Sequence, residues 1–127
     1  MTKLTPIKKV QEDIWVECKR IIRARYENTC YTCGGKNLKG VNWHTGHLIA
    51  KKYLKNYLKY DLRLLRPQCF YCNMKLGGMG ALFLTNMINI EGADYCKGIL
   101  DDLEKEIEPK WVLAFYKEKL EHLKLVK

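Results

Sequence analysis

The sequence contains no hydrophobic run long enough to span a membrane. A spanning helix needs about 18 or more consecutive apolar residues, and charged side chains interrupt every apolar stretch of these 127 residues before that length is reached. The segment 1–6 also lacks the apolar core of a secretory signal peptide. We therefore expect a cytoplasmic protein that has no membrane partner.

Internal repeats, low-complexity tracts and Pro/Gly/Ser-rich linkers are also absent from the sequence. The composition, 47% hydrophobic and 29% charged, is ordinary for a globular protein and excludes a disordered one. A chain of this length can form one modest hydrophobic core. We therefore predict one domain, comprising residues 1–127.

Acidic residues are scarce in the first part of the chain. Residues 1–75 carry 16 Lys/Arg against 5 Asp/Glu, whereas residues 76–127 carry 7 against 9. A basic surface attracts polyphosphates and gains free energy from counterion release, so this imbalance favours DNA or RNA as a partner. A solvated, solubilising surface is an equally good interpretation of the charge alone.

Four segments are predicted to be helical from their apolar periodicity and their boundary residues. Thr5-Pro6 is an N-cap followed by proline at the first helical position, Gly92 separates two helices, and Pro109 is placed to begin the last one. The predicted helices cover residues 6–26, 81–91, 93–108 and 109–127.

The middle of the chain is predicted to form shorter elements than the four helices. β-branched and aromatic residues around Thr45-Gly46 predict a short hairpin over 40–50, and the segment 51–60 is either a small amphipathic helix or a structured basic loop. Another helix is predicted from Cys69, with a break at 77–80. The fold class is therefore α+β and mainly helical, with an N-terminal helix in 1–28, a central core in 29–80 and a helical extension in 81–127.

Two Cys-x-x-Cys units, Cys30–Cys33 and Cys69–Cys72, are typical of a tetrahedral zinc site. A thioredoxin-type redox motif would need a βαβ setting, and that setting is absent. Four cysteines leave no coordination position for a substrate, so this zinc is expected to be structural. Coordination by three or two cysteines together with His44 or His47 remains an alternative. The other two cysteines, Cys18 and Cys96, are expected to be small buried hydrophobes.

The order of these motifs resembles the zinc-braced ββα-metal (HNH-like) nucleases, and among them the NinG/Rap recombination nucleases of lambdoid phages. The matching stretches are Cys30-Tyr-Thr-Cys33-Gly34, Trp43-His44-Thr-Gly46-His47 and Gln68-Cys69-Phe-Tyr-Cys72-Asn73 through Gly78. The resemblance implies a ββα core and a DNA endonuclease that acts on recombination intermediates such as Holliday junctions or D-loops. It also implies a bacteriophage protein that works in the host cytoplasm.

The resemblance further assigns the catalytic roles. It makes His47 the general base that activates water, and Asn73 a ligand of a catalytic Mg²⁺ or Mn²⁺. His44 stands where the family has an aspartate, so it is either a ligand of the same cation or a group that orients the base. Leu64 replaces an asparagine of the family, and Gly77-Gly78-Met79 replaces its Ser-Gly-Asn ending.

The basic residues near these motifs are candidate nucleic-acid contacts, although solvated surface charges would look the same in the sequence. They are Lys51, Lys52, Lys55, Arg63, Arg66 and Lys75. A non-catalytic zinc module that binds nucleic acid is the main alternative function. A protein-interaction adaptor using the C-terminal helices is a third, and those helices are equally suited to a homodimer.

Overall fold

The computed structural model describes residues 5–106 and 109–127, with the backbone alone at Asn56. Over these described residues the chain forms four α-helices and a two-stranded antiparallel sheet, which agrees with the predicted α+β class. The helices are α1 (Pro6–Arg25), α2 (Gly80–Glu91), α3 (Ala93–Lys105) and α4 (Val112–Leu125), and the strands are β1 (His44–His47) and β2 (Leu65–Gln68).

Helix α1 begins as the sequence predicts. The Thr5 hydroxyl accepts a hydrogen bond from the Lys8 amide at 3.2 Å, and Pro6 occupies the first helical position, where its missing N–H has no helical partner to lose. One face of the helix is fully buried and packs against α4, forming the larger core together with Leu58 and Leu65 of the central segment. The buried residues of that face are Ile14, Cys18, Ile21 and Ile22.

The predicted tight hairpin at Thr45-Gly46 is wrong. Both residues lie within β1, and the strand partner is β2, with His44 opposite Gln68 and His47 opposite Leu65. Gly46 is not part of a turn. Its lack of a side chain lets the buried Gln68 side chain pack against the β1 backbone, since a Cβ at position 46 would lie 1.7 Å from Gln68 Oε1. Residues 48–64 connect the strands through short 3₁₀ turns, so the segment 51–60 is the structured basic loop of the two alternatives.

The chain after β2 contains one π-helical turn, Tyr71–Lys75, closed by the Leu76 amide on the Tyr71 carbonyl at 2.9 Å. The predicted break then follows at Gly77 and Gly78, both with positive φ, and α2 begins at Gly80. Helices α2 and α3 enclose a second core with Leu48 and Leu64.

Two predicted helix boundaries differ from the structure by three residues, and the others by no more than two. Helix α3 ends at Lys105, and residues 107 and 108 of the predicted range lie outside the described residues. Helix α4 begins at Val112, so the prediction that Pro109 starts it is wrong. The isolated cysteines, Cys18 and Cys96, are buried in the two apolar cores as expected. Within the described ranges, no helix has the length and apolar character needed to cross a bilayer.

Candidate zinc centre and adjoining cleft

Four cysteine side chains converge at one end of the sheet. The sulfur atoms of Cys30, Cys33, Cys69 and Cys72 all lie within 4.8 Å of one another, and the Cys33 and Cys69 sulfurs are 3.9 Å apart. Tetrahedral zinc with bonds of about 2.3 Å places its sulfur ligands roughly 3.8 Å apart, so the cluster fits a metal ion such as zinc. No histidine belongs to this cluster among the described residues, which favours four-cysteine coordination over the mixed alternatives.

The backbone around each cysteine pair supports negative charge on the sulfurs. The amides of Cys33 and Gly35 point at the sulfurs of Cys30 and Cys33, at 3.5 and 3.4 Å, and the Cys72 amide points at the Cys69 sulfur at 3.4 Å. Gly34, with φ of 77°, makes the turn that aims the first two amides.

The pKa values of two cluster thiols move in opposite directions. Burial raises the pKa of the Cys30 thiol, but hydrogen bonds from the Cys33 amide and the Thr32 hydroxyl outweigh burial and lower it to about 6. Burial raises the pKa of Cys72 to about 12. A bound cation supplies the charge that deprotonates the remaining thiols, which couples metal binding to proton release.

Gln68 connects the cysteine cluster to the sheet. Its side chain is fully buried, and its amide nitrogen donates to the Thr32 hydroxyl at 3.1 Å and to the Gly78 carbonyl at 2.8 Å. One side chain of β2 therefore joins the first cysteine loop to the turn that precedes α2. The sheet that carries His44 and His47 is held in place by the same contacts.

His47 is buried, with 8% of its surface exposed. Its Nε2–H donates to the Lys59 carbonyl at 2.8 Å, which leaves the lone pair on Nδ1 and fixes the tautomer. The Lys59 carbonyl thus orients the imidazole. Trp15 of α1 stacks on the ring, with 5.4 Å between centroids and 12° between planes.

The environment of His47 keeps the imidazole neutral. Burial lowers its pKa to about 4, and the nearby Lys51 and Lys59 charges act in the same direction, against the hydrogen bond to the Lys59 carbonyl. At neutral pH the ring is therefore present entirely in its basic form.

His44 of β1 forms a hydrogen bond with Asn73 of the π-helical turn. The Asn73 amide donates to His44 Nδ1 at 2.9 Å, and His44 Nε2–H donates to the Val41 carbonyl at 2.9 Å. Two adjacent ligands of an octahedral divalent cation lie about 3 Å apart at bond lengths near 2.1 Å. Rotation of the amide would present its oxygen beside Nδ1, so the spacing suits a two-ligand cation site.

The three candidate residues line one cleft of about 530 Å³. Cationic side chains from two elements line it as well: Lys19 and Arg23 from α1, and Lys51 from the loop after β1. The cleft can therefore hold an anionic group next to a neutral imidazole and a candidate cation site.

The other predicted nucleic-acid contacts are placed differently. Lys52, Lys55 and Lys75 are exposed, whereas Arg63 is engaged by two carboxylates, Asp61 at 2.8 Å and Asp102 at 2.7 Å. The prediction for Arg66 is wrong, because its side chain is only 1% exposed.

The burial of Arg66 follows from its place in β2. The guanidinium lies over the rings of Tyr26 and Tyr31, donates to the Leu65 carbonyl at 2.7 Å, and has Glu91 at 3.8 Å. It is a structural cation that packs the sheet against the elements around it.

Sequence reasoning missed the contribution of α1 to the cleft. Trp15, Lys19 and Arg23 are spaced at i, i+4 and i+8, so they form one stripe of the helix. A tryptophan in line with two basic residues beside the apolar face was the available signal. Arg23 is held in place by the Trp43 carbonyl, 2.8 Å from Nη2, and by the Trp43 ring, 4.6 Å from the guanidinium carbon.

Comparisons of the chain with models of protein families, with curated proteins and with solved structures gave no match.

Proposed function

We propose that this protein is a metal-dependent DNA endonuclease of the HNH-like type. The observation that carries the proposal is that one cationic cleft, next to the four-cysteine cluster, contains a buried neutral histidine and a spaced His–Asn pair. Phosphodiester hydrolysis needs a base for water, a divalent cation at the phosphate and positive charge around it, and the cleft offers a group for each.

His47 is the proposed general base. With Nε2–H held by the Lys59 carbonyl, Nδ1 is the nitrogen that accepts a proton from water as the water oxygen attacks phosphorus and the leaving P–O bond breaks. Burial, with a smaller contribution from the Lys51 and Lys59 charges, lowers the pKa of His47 to about 4 and makes the free imidazole a weak base. A phosphate anion in the cleft would offset the contribution of the two lysines.

His44 and Asn73 are the proposed ligands of a catalytic Mg²⁺ or Mn²⁺. Such a cation, when bound, neutralises phosphate charge and stabilises the leaving oxygen. Imidazole is a better ligand for Mn²⁺ than for Mg²⁺, so His44 favours Mn²⁺ at this position. The zinc held by the four cysteines is proposed to be structural, keeping β1 and the π-helical turn at a fixed separation.

The substrate class within DNA rests on the motif resemblance. We propose branched recombination intermediates as substrates, a host-cell cytoplasmic location for a phage protein, and DNA as the partner, with a homodimer as one route to two-strand cleavage.

The test is a nicking assay with a labelled four-way junction and a linear duplex, each with Mg²⁺ or Mn²⁺. Wild type is expected to nick, whereas His47→Ala and Asn73→Ala are expected to lose at least about 100-fold in rate, a typical cost of removing such groups. His122→Ala, an exposed histidine on α4, is the matched control and should retain the wild-type rate. Binding without nicking under every divalent cation would overturn the nuclease proposal.

One observation favours the second candidate, a non-catalytic zinc module that binds nucleic acid. Both ring nitrogens of His44 already have protein partners, so its local structure is complete without a cation. The same substrates decide between the two functions. A binding module slows the migration of the DNA in a native gel but does not cut it.

A further inference from the structure

The cleft that contains His47 continues into a second cleft along α1. The second cleft has a volume of about 510 Å³ and shares four lining residues with the first: Trp15, Lys19, His47 and Lys51. Its far end is marked by Lys8, whereas Arg23 marks the far end of the first. The two adjoining clefts follow one another along α1, and we call them together the α1 groove.

Five of the six cations of α1 divide according to whether they line this groove, whereas the sixth, Arg25, is exposed at the end of the helix and lines neither cleft. Lys9 and Arg20 lie outside it, and each pairs with a carboxylate on the same helix, Asp13 at 3.1 Å and Glu17 at 2.7 Å. Lys8, Lys19 and Arg23 line the groove, and none of them forms an ion pair within the described part of the chain.

Acidic residues are nearly absent from the groove itself. Glu12 is the one acidic residue among the described lining residues of either cleft. Helix α1 therefore pairs Lys9 and Arg20 with its own carboxylates outside the groove and leaves the three cations of the groove without ion pairs. Uncompensated cations arranged in a line are suited to a linear polyanion, because each bound phosphate releases a counterion.

The spacing along the helix sets a length for the ligand. Lys8 and Arg23 are 15 residues apart, which at 1.5 Å per residue is about 22 Å, or roughly six to seven base-pair steps of duplex DNA at 3.4 Å each. Trp15 lies midway between them on the helix, and His47 stacks on Trp15. The candidate base is therefore near the centre of the line of cations.

We propose that the α1 groove is the binding track for a DNA backbone, which passes over His47 with Lys8 on one side of the reacting phosphate and Lys19 and Arg23 on the other. This inference rests on the proposed function for the identity of the polyanion. In this proposal α1 has a second role besides packing in the core: its cations determine which phosphate lies next to His47.

The experiment compares two double variants that remove the same charge. Lys8→Gln/Lys19→Gln removes two groove cations, and Lys9→Gln/Lys124→Gln removes two exposed cations that pair with carboxylates away from it. Kd for a fluorescent duplex and for a four-way junction is measured on zinc-loaded protein without Mg²⁺ or Mn²⁺, at several salt concentrations. Thermal unfolding verifies that both variants are folded.

The groove variant is expected to bind DNA roughly tenfold more weakly than wild type at 100 mM salt. The slope of log Kd against log salt concentration should be smaller by about 2, because two phosphate contacts are lost. The control variant should stay within about twofold of wild type. Equal weakening in both variants, or no DNA binding by the wild type, would overturn the track.

Nicking rates of the same proteins with Mn²⁺ separate this proposal from the proposed function. If wild type nicks DNA and the two doubles bind it equally well, the track is wrong and the nuclease stands. If the groove double alone loses affinity while wild type nicks nothing, the track stands and the nuclease proposal fails.

Phosphate-ethylation interference tests the placement of the reacting phosphate within the track. Modified phosphates on both sides of the nick are expected to block wild-type binding, and Lys8→Gln should relieve the block on one side only. Interference confined to one side of the nick in the wild type would contradict a track centred on His47.

Discussion

The indole of Trp15 lies nearly parallel to the imidazole of His47, at 5.4 Å between ring centroids. This contact joins α1, the main helix of the larger core, to the strand that carries the candidate base. It covers one face of the imidazole, and burial is the largest cause of the low pKa of His47. The contact therefore affects both the position and the basicity of the same side chain.

Replacing Trp15 with alanine should raise the pKa of His47 from about 4 toward its ordinary value of 6.5, because the ring becomes more exposed to water. Nicking should slow by about tenfold or more, since the ring loses the surface that orients it. Trp15→Phe should give intermediate values of both quantities. The NMR titration of the His47 ring protons measures the pKa, and an unchanged value in Trp15→Ala would show that the stack does not control it.

The buried neutral state of His47 makes stability depend on pH. The unfolded chain takes up a proton near pH 6.5, whereas the folded protein does so only near pH 4. Stability is therefore lost as pH falls from about 6.5 to 4 and is unaffected by this group above that window. Between pH 7 and 5 the loss is about 2 kcal/mol.

The measurement is the free energy of unfolding of wild type minus that of His47→Gln at each pH. Taking the difference cancels the titration of the cysteine cluster, which both proteins share. The difference should decrease on acidification in the stated window, and a constant difference would show that His47 titrates normally.

Replacing His44 with aspartate should change the cation preference of nicking. A carboxylate is a harder ligand than imidazole and binds Mg²⁺ better, so the ratio of the Mg²⁺ rate to the Mn²⁺ rate should rise by about tenfold. The Asn73 amide can donate to the new carboxylate as it does to His44 Nδ1. An unchanged ratio across a titration of both cations would place His44 outside the cation site.

Cys33→Ser should lose bound zinc and unfold the centre of the chain, because structural zinc binding is coupled to folding. Cys33 is the exposed member of the cluster, so the substitution creates no cavity and the effect reports the metal. Cys96→Ala, in the second core, is the control and should retain about one zinc per chain. Zinc content by atomic absorption and the thermal unfolding midpoint are measured together, and an unchanged zinc content in Cys33→Ser would refute the four-cysteine site.

Gly46→Ala should destabilise the protein by about 2–3 kcal/mol, because the new methyl group displaces the Gln68 side chain from its buried hydrogen bonds to Thr32 and Gly78. Gly98→Ala, in the interior of α3 with open space around its Cβ position, should instead stabilise by up to about 1 kcal/mol. Urea denaturation measures both variants. Similar effects of the two substitutions would show that Gln68 relaxes without cost.

Local chemistry explains what could be predicted. The Thr5-Pro6 start of α1 depends on neighbouring residues alone, and the two-residue spacing within each Cys-x-x-Cys unit lets both of its sulfurs reach one ion. The break at Gly77-Gly78 likewise follows from backbone conformations that glycine adopts readily.

The errors arose where distant residues decide the conformation. Thr45-Gly46 has the composition of a turn, but both residues are extended because β1 pairs with β2. Position 46 is a glycine because the side chain of Gln68, 22 positions away in the sequence, occupies the space of a Cβ there. Arg66 is a basic residue close to the cysteine motif, which predicted a DNA contact. Its position in β2 instead places the guanidinium over the rings of Tyr26 and Tyr31.

The sequence by itself determined the two cysteine pairs of the candidate metal site, the helical frame and the identity of the candidate chemical groups, because these depend on residue type and short spacing. Only the tertiary structure decided that the Lys59 carbonyl and Trp15 orient His47, and that Lys8, Lys19 and Arg23 face the same groove. A backbone carbonyl has no sequence signature, and the outward direction of a helical stripe is fixed only when the opposite face is buried against the rest of the protein.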